Sequence, residues 1–296
     1  MKILLTGKDG QVGFALHKKL ASLGEVVATN RDMLDLSDPQ AIRIFIDQTK
    51  PDIIINPAAY TKVDQAESEP ELASQINAIA PQVLAEKASE LNIPIIHFST
   101  DYVFDGLKNE PYVETDQANP QSVYGQTKWE GEKAVHQNKK HIILRTSWVF
   151  GSHGQNFLKT MIRLAHDREV LRVVSDQQGV PTSAHLLADV SKMLVNKLNT
   201  DDRKNFPFGI YHVAPKGETN WYGYAKLVIH EAMKLGDTFN VSPEMMHAIQ
   251  TKDYPTRAQR PLNSRLDASL FEKEFSMTLP PWEEGVFAII RALYKG

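Results

Sequence analysis

The sequence predicts an α/β fold, a doubly wound parallel sheet of Rossmann type followed by a smaller, partly discontinuous C-terminal domain. Three observations carry that expectation. Short apolar runs alternate with amphipathic stretches as far as Thr146, the strand–helix–strand rhythm of a parallel sheet. A glycine turn, Gly7-Lys8-Asp9-Gly10-Gln11-Val12-Gly13, follows the first run. Beyond Thr146 the rhythm breaks, and helical stretches mix with loops containing Pro243, Pro255, Pro261 and Pro280-Pro281.

Ile3-Leu4-Leu5 reads as a buried strand, and Phe14-Ala15-Leu16, Leu20 and Leu23 recur at helical spacing. The glycines between them allow a tight turn and let the backbone approach a pyrophosphate seated on a helix N-terminus. The spacing is G-x-x-G-x-x-G rather than G-x-G-x-x-G. Its place between a strand and a helix favours dinucleotide binding over a plain turn, with the glycines Gly7 and Gly10 at the approach to the pyrophosphate. Glu25 to Thr29 is the second strand, ending at Asn30-Arg31. An acid normally takes the ribose hydroxyls here, whereas an arginine accommodates a 2′-phosphate. NADPH is therefore slightly favoured over NADH, with Arg31 equally readable as a solvated loop cation. Asp35 and Leu36 would border the adenine, and Ser37 or Asp38 caps a helix starting at Pro39. The third strand runs from Pro51 into Ala58, Ala59, Tyr60 and Thr61. Small residues at a strand's C-terminal end leave room for a ligand, so these four are candidate cofactor contacts. A helical segment from about Glu69 to Leu91 contains Asn77, readable as a buried structural amide or as a cofactor contact.

Pro94 to Asp101 is the fourth strand, and His97 within it reads as a core residue rather than a base. The loop from Asp101 to Ser122 is long enough to suggest a binding function. A helix from Tyr124 to about Asn138 and a strand at Ile142 to Thr146 complete the regular half. Val170 to Val174 is expected to return to the sheet. An apolar helix (Ala184 to Leu198), a polar connector (Asn199 to Pro207) and another strand (Gly209 to Ala214) follow. The expected division is a dinucleotide-binding domain at 1–147, with approximately 170–214 returning to its sheet, and a substrate domain at 148–169 and 215–296.

The chemistry is expected where the fourth strand meets the following helix. Tyr124 and Lys128 are four residues apart and share one helical face. A tyrosine that trades a proton with a carbonyl oxygen needs its phenol acidified from ~10, and an ammonium one turn along favours the phenolate. Thr100, ending an apolar run, is placed to hydrogen-bond the same oxygen. This Thr…Tyr-x-x-x-Lys arrangement resembles the active site of short-chain dehydrogenase/reductases.

Bulk properties narrow the classes. The chain has 296 residues, 42% hydrophobic and 23% charged, with a formal net charge of −3 and no cysteine. No global basic field recruits nucleic acid or anionic lipid, and thiol catalysis and disulfides are excluded. The lack of cysteine suits a reducing cytosol, and a cytoplasmic location is expected. No apolar run approaches the ~20 residues of a membrane span, and the N-terminus reaches Gly7 too soon for a signal peptide. The ten histidines show no ligand-spaced cluster, so no metal site is expected.

Taken whole, the chain resembles the dTDP-4-dehydrorhamnose reductases, a family of extended short-chain reductases. The matching stretches are the glycine turn, Asp64-Gln65-Ala66-Glu67, Ser99-Thr100-Asp101-Tyr102-Val103-Phe104, Tyr124-Gly125-Gln126-Thr127-Lys128, Arg145-Thr146-Ser147-Trp148-Val149 and Arg260-Pro261-Leu262-Asn263-Ser264-Arg265-Leu266-Asp267. The resemblance implies reduction of the C4 keto group of a dTDP-4-dehydro-L-rhamnose by NADPH or NADH. It implies Gly10, Gln11 and Val12 along the cofactor pyrophosphate, Tyr124 as proton donor and Lys128 as its partner on the nicotinamide ribose. Candidate substrate contacts are Thr100, Asp101, Val103, Phe104, Trp148, Asn156 and Arg260, the last for the diphosphate. Some relatives dimerise through a magnesium ion held by glutamates. This chain has Ala15 and His185 at two such positions, which implies a monomer or weak homodimer. A sister nucleotide-sugar 4-ketoreductase and a non-catalytic nucleotide-binding regulatory subunit are the alternatives.

Overall fold

The computed structural model describes residues 1–200 and 205–295, so the middle of the polar connector lies outside the described residues. The first half alternates β1 (Lys2–Leu5), α1 (Gln11–Leu20), β2 (Glu25–Ala28), α2 (Pro39–Thr49), β3 (Ile53–Asn56), the short α3 (Val63–Ala66), α4 (Pro70–Ser74), α5 (Ala80–Glu90), β4 (Ile95–Thr100), α6 (Val123–Val135) and β5 (His141–Thr146). The rest comprises β6 (Val149–Phe150), α7 (Phe157–Asp167), β7 (Leu171–Val174), β8 (Gln178–Gly179), β9 (Thr182–Ser183), α8 (Ala184–Leu198), β10 (Gly209–His212), β11 (Thr219–Asn220), α9 (Trp221–Lys234), β12 (Met246–Ile249), α10 (Ser269–Phe275) and α11 (Trp282–Lys295).

The central sheet has six strands in the order β10-β5-β4-β3-β1-β2, and every pairing in it is parallel. β3, β4 and β5 are buried at every position because helices cover both faces. Side chains of α1, α8 and α10 pack on one face, and those of α2, α5 and α6 on the other. The chain reverses direction across the sheet between β1 and β3, the switch point where a crevice opens beyond the strand ends. No helix among the described residues is long and apolar enough to cross a membrane.

A second core gathers Phe150, Leu158, Tyr224, Trp282 and Ile290 from β6, α7, α9 and α11. The expected return of Val170 to Val174 to the central sheet is not what the chain does. β7 instead pairs in parallel with β12, Leu171 against Met246, in a separate two-stranded sheet. The reason is visible in its side chains: Leu171 and Val173 are buried while Arg172 is exposed. A strand covered on one face only cannot occupy a slot flanked by helices on both sides. Of the expected returning segment, β10 alone joins the sheet, beside β5.

The helix expected from Glu69 to Leu91 is real but interrupted by a π turn at Gln75–Ile79. Asn77 sits in that turn and resolves to the structural role. Its amide accepts from the Tyr60 backbone N–H at 2.8 Å and donates to the Tyr60 carbonyl at 3.1 Å and to Thr127 at 3.2 Å. The long loop after β4 is tied down rather than free. Tyr112 pairs with the Arg265 and Asp267 backbones at 2.8 Å each, and Asn263 donates to the carbonyls of Lys108 and Glu110. The loop and the Arg260–Asp267 segment therefore form one brace along the cleft.

Candidate active site

A cavity of about 730 Å³ opens beyond the C-terminal ends of β1, β3, β4 and β5. Gly7 takes φ +61°, and a Cβ there would lie 2.9 Å from that of Ala58. Gly13 presses α1 against the turn, where a Cβ would lie 2.0 Å from the Gly7 carbonyl oxygen. Gly10 meets nothing closer than 3.3 Å, so its glycine leaves room on the cavity side. The helix α1 starts at Gly10 without a side-chain cap, whereas α2, α6, α7, α8 and α9 are capped by Asp38, Ser122, Asn156, Ser183 and Asn220. Unclaimed amides at a helix N-terminus suit a phosphate. Gly13→Val should force α1 off the turn, lowering stability by ~1–3 kcal/mol and weakening NADPH binding about tenfold or more, read by thermal unfolding and fluorescence titration. Wild-type affinity in that variant would mean the turn does not hold the dinucleotide.

Helix α6 carries the expected pair. Ser122 caps it, accepting from the Gly125 N–H at 3.1 Å. Two glycines let it lie close: a Cβ on Gly125 would come within 2.2 Å of the Tyr102 carbonyl oxygen, and on Gly131 within 2.1 Å of the Asn77 carbonyl oxygen. The helix is thereby seated against the π turn and the end of β4. Tyr124, Lys128 and Thr100 all line the cavity. Thr100 donates to Asp101 at 3.0 Å and accepts from the Tyr102 N–H at 3.2 Å. Tyr124 meets Tyr102 edge-on at 5.4 Å between ring centroids.

The electrostatics differ from the expectation in one respect. Burial pushes the Tyr124 phenol well above its ordinary range, with Thr100 pulling it back and Asp101 adding to the rise. Lys128 does not acidify it here, because the amine is directed at the Phe98 carbonyl at 2.6 Å and at His97 Nε2 at 3.3 Å. Burial also lowers Lys128 to about 8, against the opposing pull of Glu132. Asp101 is raised to about 6 by burial, despite hydrogen bonds from Ser264 and Thr100. Its Oδ2 is buried without a protein partner.

The far wall is aromatic. Trp148 adopts φ +47°, an uncommon conformation for a non-glycine residue, and stacks on Trp221 at 3.7 Å. Gly179 makes the space, since a Cβ there would meet the Trp148 ring at 2.6 Å. Arg260 also faces the cavity, paired with Asp64 and donating to the Tyr102 hydroxyl at 3.0 Å. Asn156 lines the same wall while capping α7 and donating to Gln11 at 2.9 Å, which joins the glycine turn to the second lobe.

Of the residues singled out from sequence, Gly7, Gly10, Gln11, Val12, Ala58, Ala59, Thr61, Asp101, Trp148, Asn156 and Arg260 line the cavity with the Thr100, Tyr124 and Lys128 group. Asn30, Arg31, Asp35 and Leu36 lie outside that lining, past the end of edge strand β2. Asp35 is held below its ordinary value by Ser37, and Leu36 packs against the α2 core. Tyr60 is turned to Glu69, to which its hydroxyl donates at 2.6 Å. Val103 and Phe104 are corrected outright as side chains facing substrate. Both are buried in the second core, and Phe104 stacks on Tyr112 at 4.2 Å. Among the cavity residues left without a role by the sequence, Tyr102 lies inside a matching motif, and Trp221 follows Asn220 in a region with no periodic cue to the cleft.

Comparison with known proteins agrees along the whole chain. A family model described as RmlD substrate binding domain matches residues 1–295. A dTDP-4-dehydrorhamnose reductase of Escherichia coli K12 is 45% identical over 300 aligned residues, covering 99% of this chain and 98% of that protein. Among solved structures, a dTDP-4-dehydrorhamnose reductase from Clostridium acetobutylicum superposes with a TM-score of 0.89 at 39% identity, covering 99% of both chains. One from Bacillus anthracis in complex with NADP gives 0.87 at 33% identity, covering 98% of this chain and 99% of the other. A Thermotoga maritima UDP-glucose 4-epimerase, at 18% identity, shares the fold with a TM-score of 0.79 over 100% of this chain and 99% of its own.

Proposed function

The chain belongs to the family described as RmlD substrate binding domain, and from that premise we propose that it reduces the C4 keto group of dTDP-4-dehydro-L-rhamnose to give dTDP-L-rhamnose. The observation that carries the reading is the convergence of Tyr124, Lys128 and Thr100 on one cavity walled by a glycine turn and a tryptophan pair. The uncapped start of α1 and the open side of Gly10 fit a dinucleotide pyrophosphate. When bound, the reduced nicotinamide supplies the hydride. Arg31 and Asn30 in place of an acid keep NADPH slightly ahead of NADH.

The protein's own part is to orient and protonate. A phenol kept protonated by burial is a donor at neutral pH, so Tyr124 delivers a proton to the C4 oxygen as negative charge develops there. Thr100 hydrogen-bonds that oxygen, and the Lys128 ammonium, held by Phe98 and His97, turns its remaining donor to the cleft and stabilises the phenolate as it forms. Asp101 Oδ2, buried and unpartnered, accepts from a sugar hydroxyl. The Trp148–Trp221 stack gives the deoxysugar an apolar wall, and Arg260 faces the nucleotide diphosphate. In this reading residues 1–147 with the β10 strand hold the dinucleotide, and 148–169 with 215–296 hold the sugar nucleotide. A cytoplasmic monomer or weak homodimer completes the proposal: Ala15 and His185 offer no carboxylate to a bridging magnesium ion.

NADPH oxidation tests the activity, with dTDP-4-keto-L-rhamnose compared against UDP- and GDP-linked 4-ketosugars. Turnover confined to the dTDP sugar is expected, and preference for another base would move the assignment to a sister reductase. No turnover with any ketosugar would leave a nucleotide-binding regulator. The pH dependence follows from the same groups. Asp101 gains its proton as pH falls through about 6, and Lys128 loses its proton as pH rises through about 8. kcat/KM is therefore expected to form a bell between those values, with Asp101→Asn flattening the acid limb. A flat profile would remove both groups from the chemistry.

A further inference from the structure

Beneath the cleft a line of buried polar side chains crosses the sheet from β1 to α6. Thr6 Oγ1 lies 2.6 Å from Asn56 Oδ1, Asn56 Nδ2 lies 3.0 Å from His97 Nδ1, and His97 Nε2 lies 3.3 Å from Lys128 Nζ. Thr6, Asn56, His97 and Lys128 are each no more than 2% exposed. Polar groups buried so deeply among apolar strands are costly unless each bond is met. A structural role alone would be served by apolar residues.

We infer that Thr6, Asn56 and His97 form a positioning array that aims the Lys128 amine, and that the array's hydrogen-bond direction follows that amine's charge. An ammonium has three donors and no acceptor. One donor goes to the Phe98 carbonyl and a second, in the charged state, must go to His97, 3.3 Å away, leaving the third for the cleft. A charged Lys128 therefore needs a bare Nε2. Neutral His97 must then carry its proton on Nδ1 and donate it to the Asn56 carboxamide oxygen, whose NH₂ turns to Thr6. In the structure the Asn56 amide is turned the other way: Thr6 donates to Asn56 Oδ1 and Asn56 Nδ2 faces Nδ1, an orientation that requires the neutral imidazole to carry its proton on Nε2, towards the amine. That direction accepts only an uncharged lysine. Reversing the Asn56 amide thus accompanies each protonation of Lys128. His97 stays neutral in both states, because complete burial and the neighbouring lysine hold it well below its ordinary value. The other groups facing Lys128 are Tyr124 and Glu132 of its own helix, with Asp101 and Tyr102 beyond Tyr124 and Arg145 pairing Glu132.

The array is tested in the wild-type protein by NMR of ¹⁵N-labelled histidine, with the His97 signals assigned through His97→Gln. The Nδ1–H tautomer is expected below the Lys128 titration at about 8 and the Nε2–H tautomer above it. One tautomer throughout, or an imidazolium, would overturn the inference. The kinetic arm rests on the reductase reading. His97→Leu removes the acceptor and should lower kcat ~10-fold with KM for the sugar nucleotide within ~2-fold, while His97→Gln, which keeps an acceptor, restores most of the loss. Unchanged kcat in His97→Leu, or no rescue by Gln, would count against it. If no ketosugar is turned over at all, the activity proposal fails while the NMR result still decides the array.

Discussion

Tyr124→Phe is expected to lower kcat by ~100-fold or more while leaving NADPH affinity within ~2-fold. The substitution deletes one oxygen and keeps the ring, so the edge-on packing against Tyr102 survives. What disappears is the cavity phenol one helical turn from Lys128 and beside Thr100. Burial keeps that phenol protonated at neutral pH, so it is stocked as an acid before substrate arrives. Thr100 cannot take over as the acid, because a threonine hydroxyl holds its proton far more tightly than a phenol and serves the C4 oxygen only as a hydrogen-bond donor. Steady-state kinetics with a fluorescence titration of NADPH separates the two parameters. Near-normal turnover in the variant would remove Tyr124 from the mechanism, and a parallel loss of cofactor affinity would mean that the ring rather than the hydroxyl matters.

Much of this was legible in the sequence, for physical reasons that differ by element. The β1–turn–α1 unit was readable because steric demand fixes glycine locally. Gly7 needs a positive φ and Gly13 a bare Cα against the Gly7 carbonyl. The pairing of Tyr124 with Lys128 was readable because helical spacing alone puts them on one face. The partners of Lys128 were not readable. His97 and Asn56 come from β4 and β3, and only sheet order brings them to the amine. His97 is a core residue, as the sequence reads, and it reaches the chemistry through the Lys128 amine. Val103 and Phe104 were misassigned because adjacency to Thr100-Asp101 was taken as direction. The short 3₁₀ turn at Asp101–Val103 sends those side chains into the second core. β7 was misplaced since an apolar run carries no record of its partner strand, although the exposed Arg172 within it was a readable warning. Trp221 reaches Trp148 from α9, with β7, α8 and β10 intervening in the sequence, and no local pattern encodes that meeting.

The largest stability effect is expected at Arg145→Met, a site outside the cavity. Arg145 on β5 grips Glu132 of α6 with two nitrogens, Nε at 2.9 Å and Nη2 at 2.7 Å, and the two side chains are 5% and 3% exposed. The guanidinium also lies 5.1 Å over the Phe104 ring and reaches the Glu114 carbonyl at 3.5 Å. Removing the cation strands a carboxylate in the interior, at a cost of ~3–5 kcal/mol. Neutralising both partners as Arg145→Met with Glu132→Leu should recover most of that, because a well-packed apolar pair carries no unpaired charge. Urea unfolding of the three proteins reads the cycle. The same bond reaches the chemistry. Glu132 lies one turn beyond Lys128 and holds its amine pKa up against burial. With Arg145 gone, whatever charge Glu132 keeps acts on Lys128 undiluted, and the basic limb of kcat/KM should move to higher pH. With Glu132 also replaced, that support is lost and the limb should move below its wild-type position. A single variant that loses less than ~1 kcal/mol, or a basic limb that stays fixed through both changes, would show that the pair acts neither as an isolated buried bridge nor as a control on the lysine.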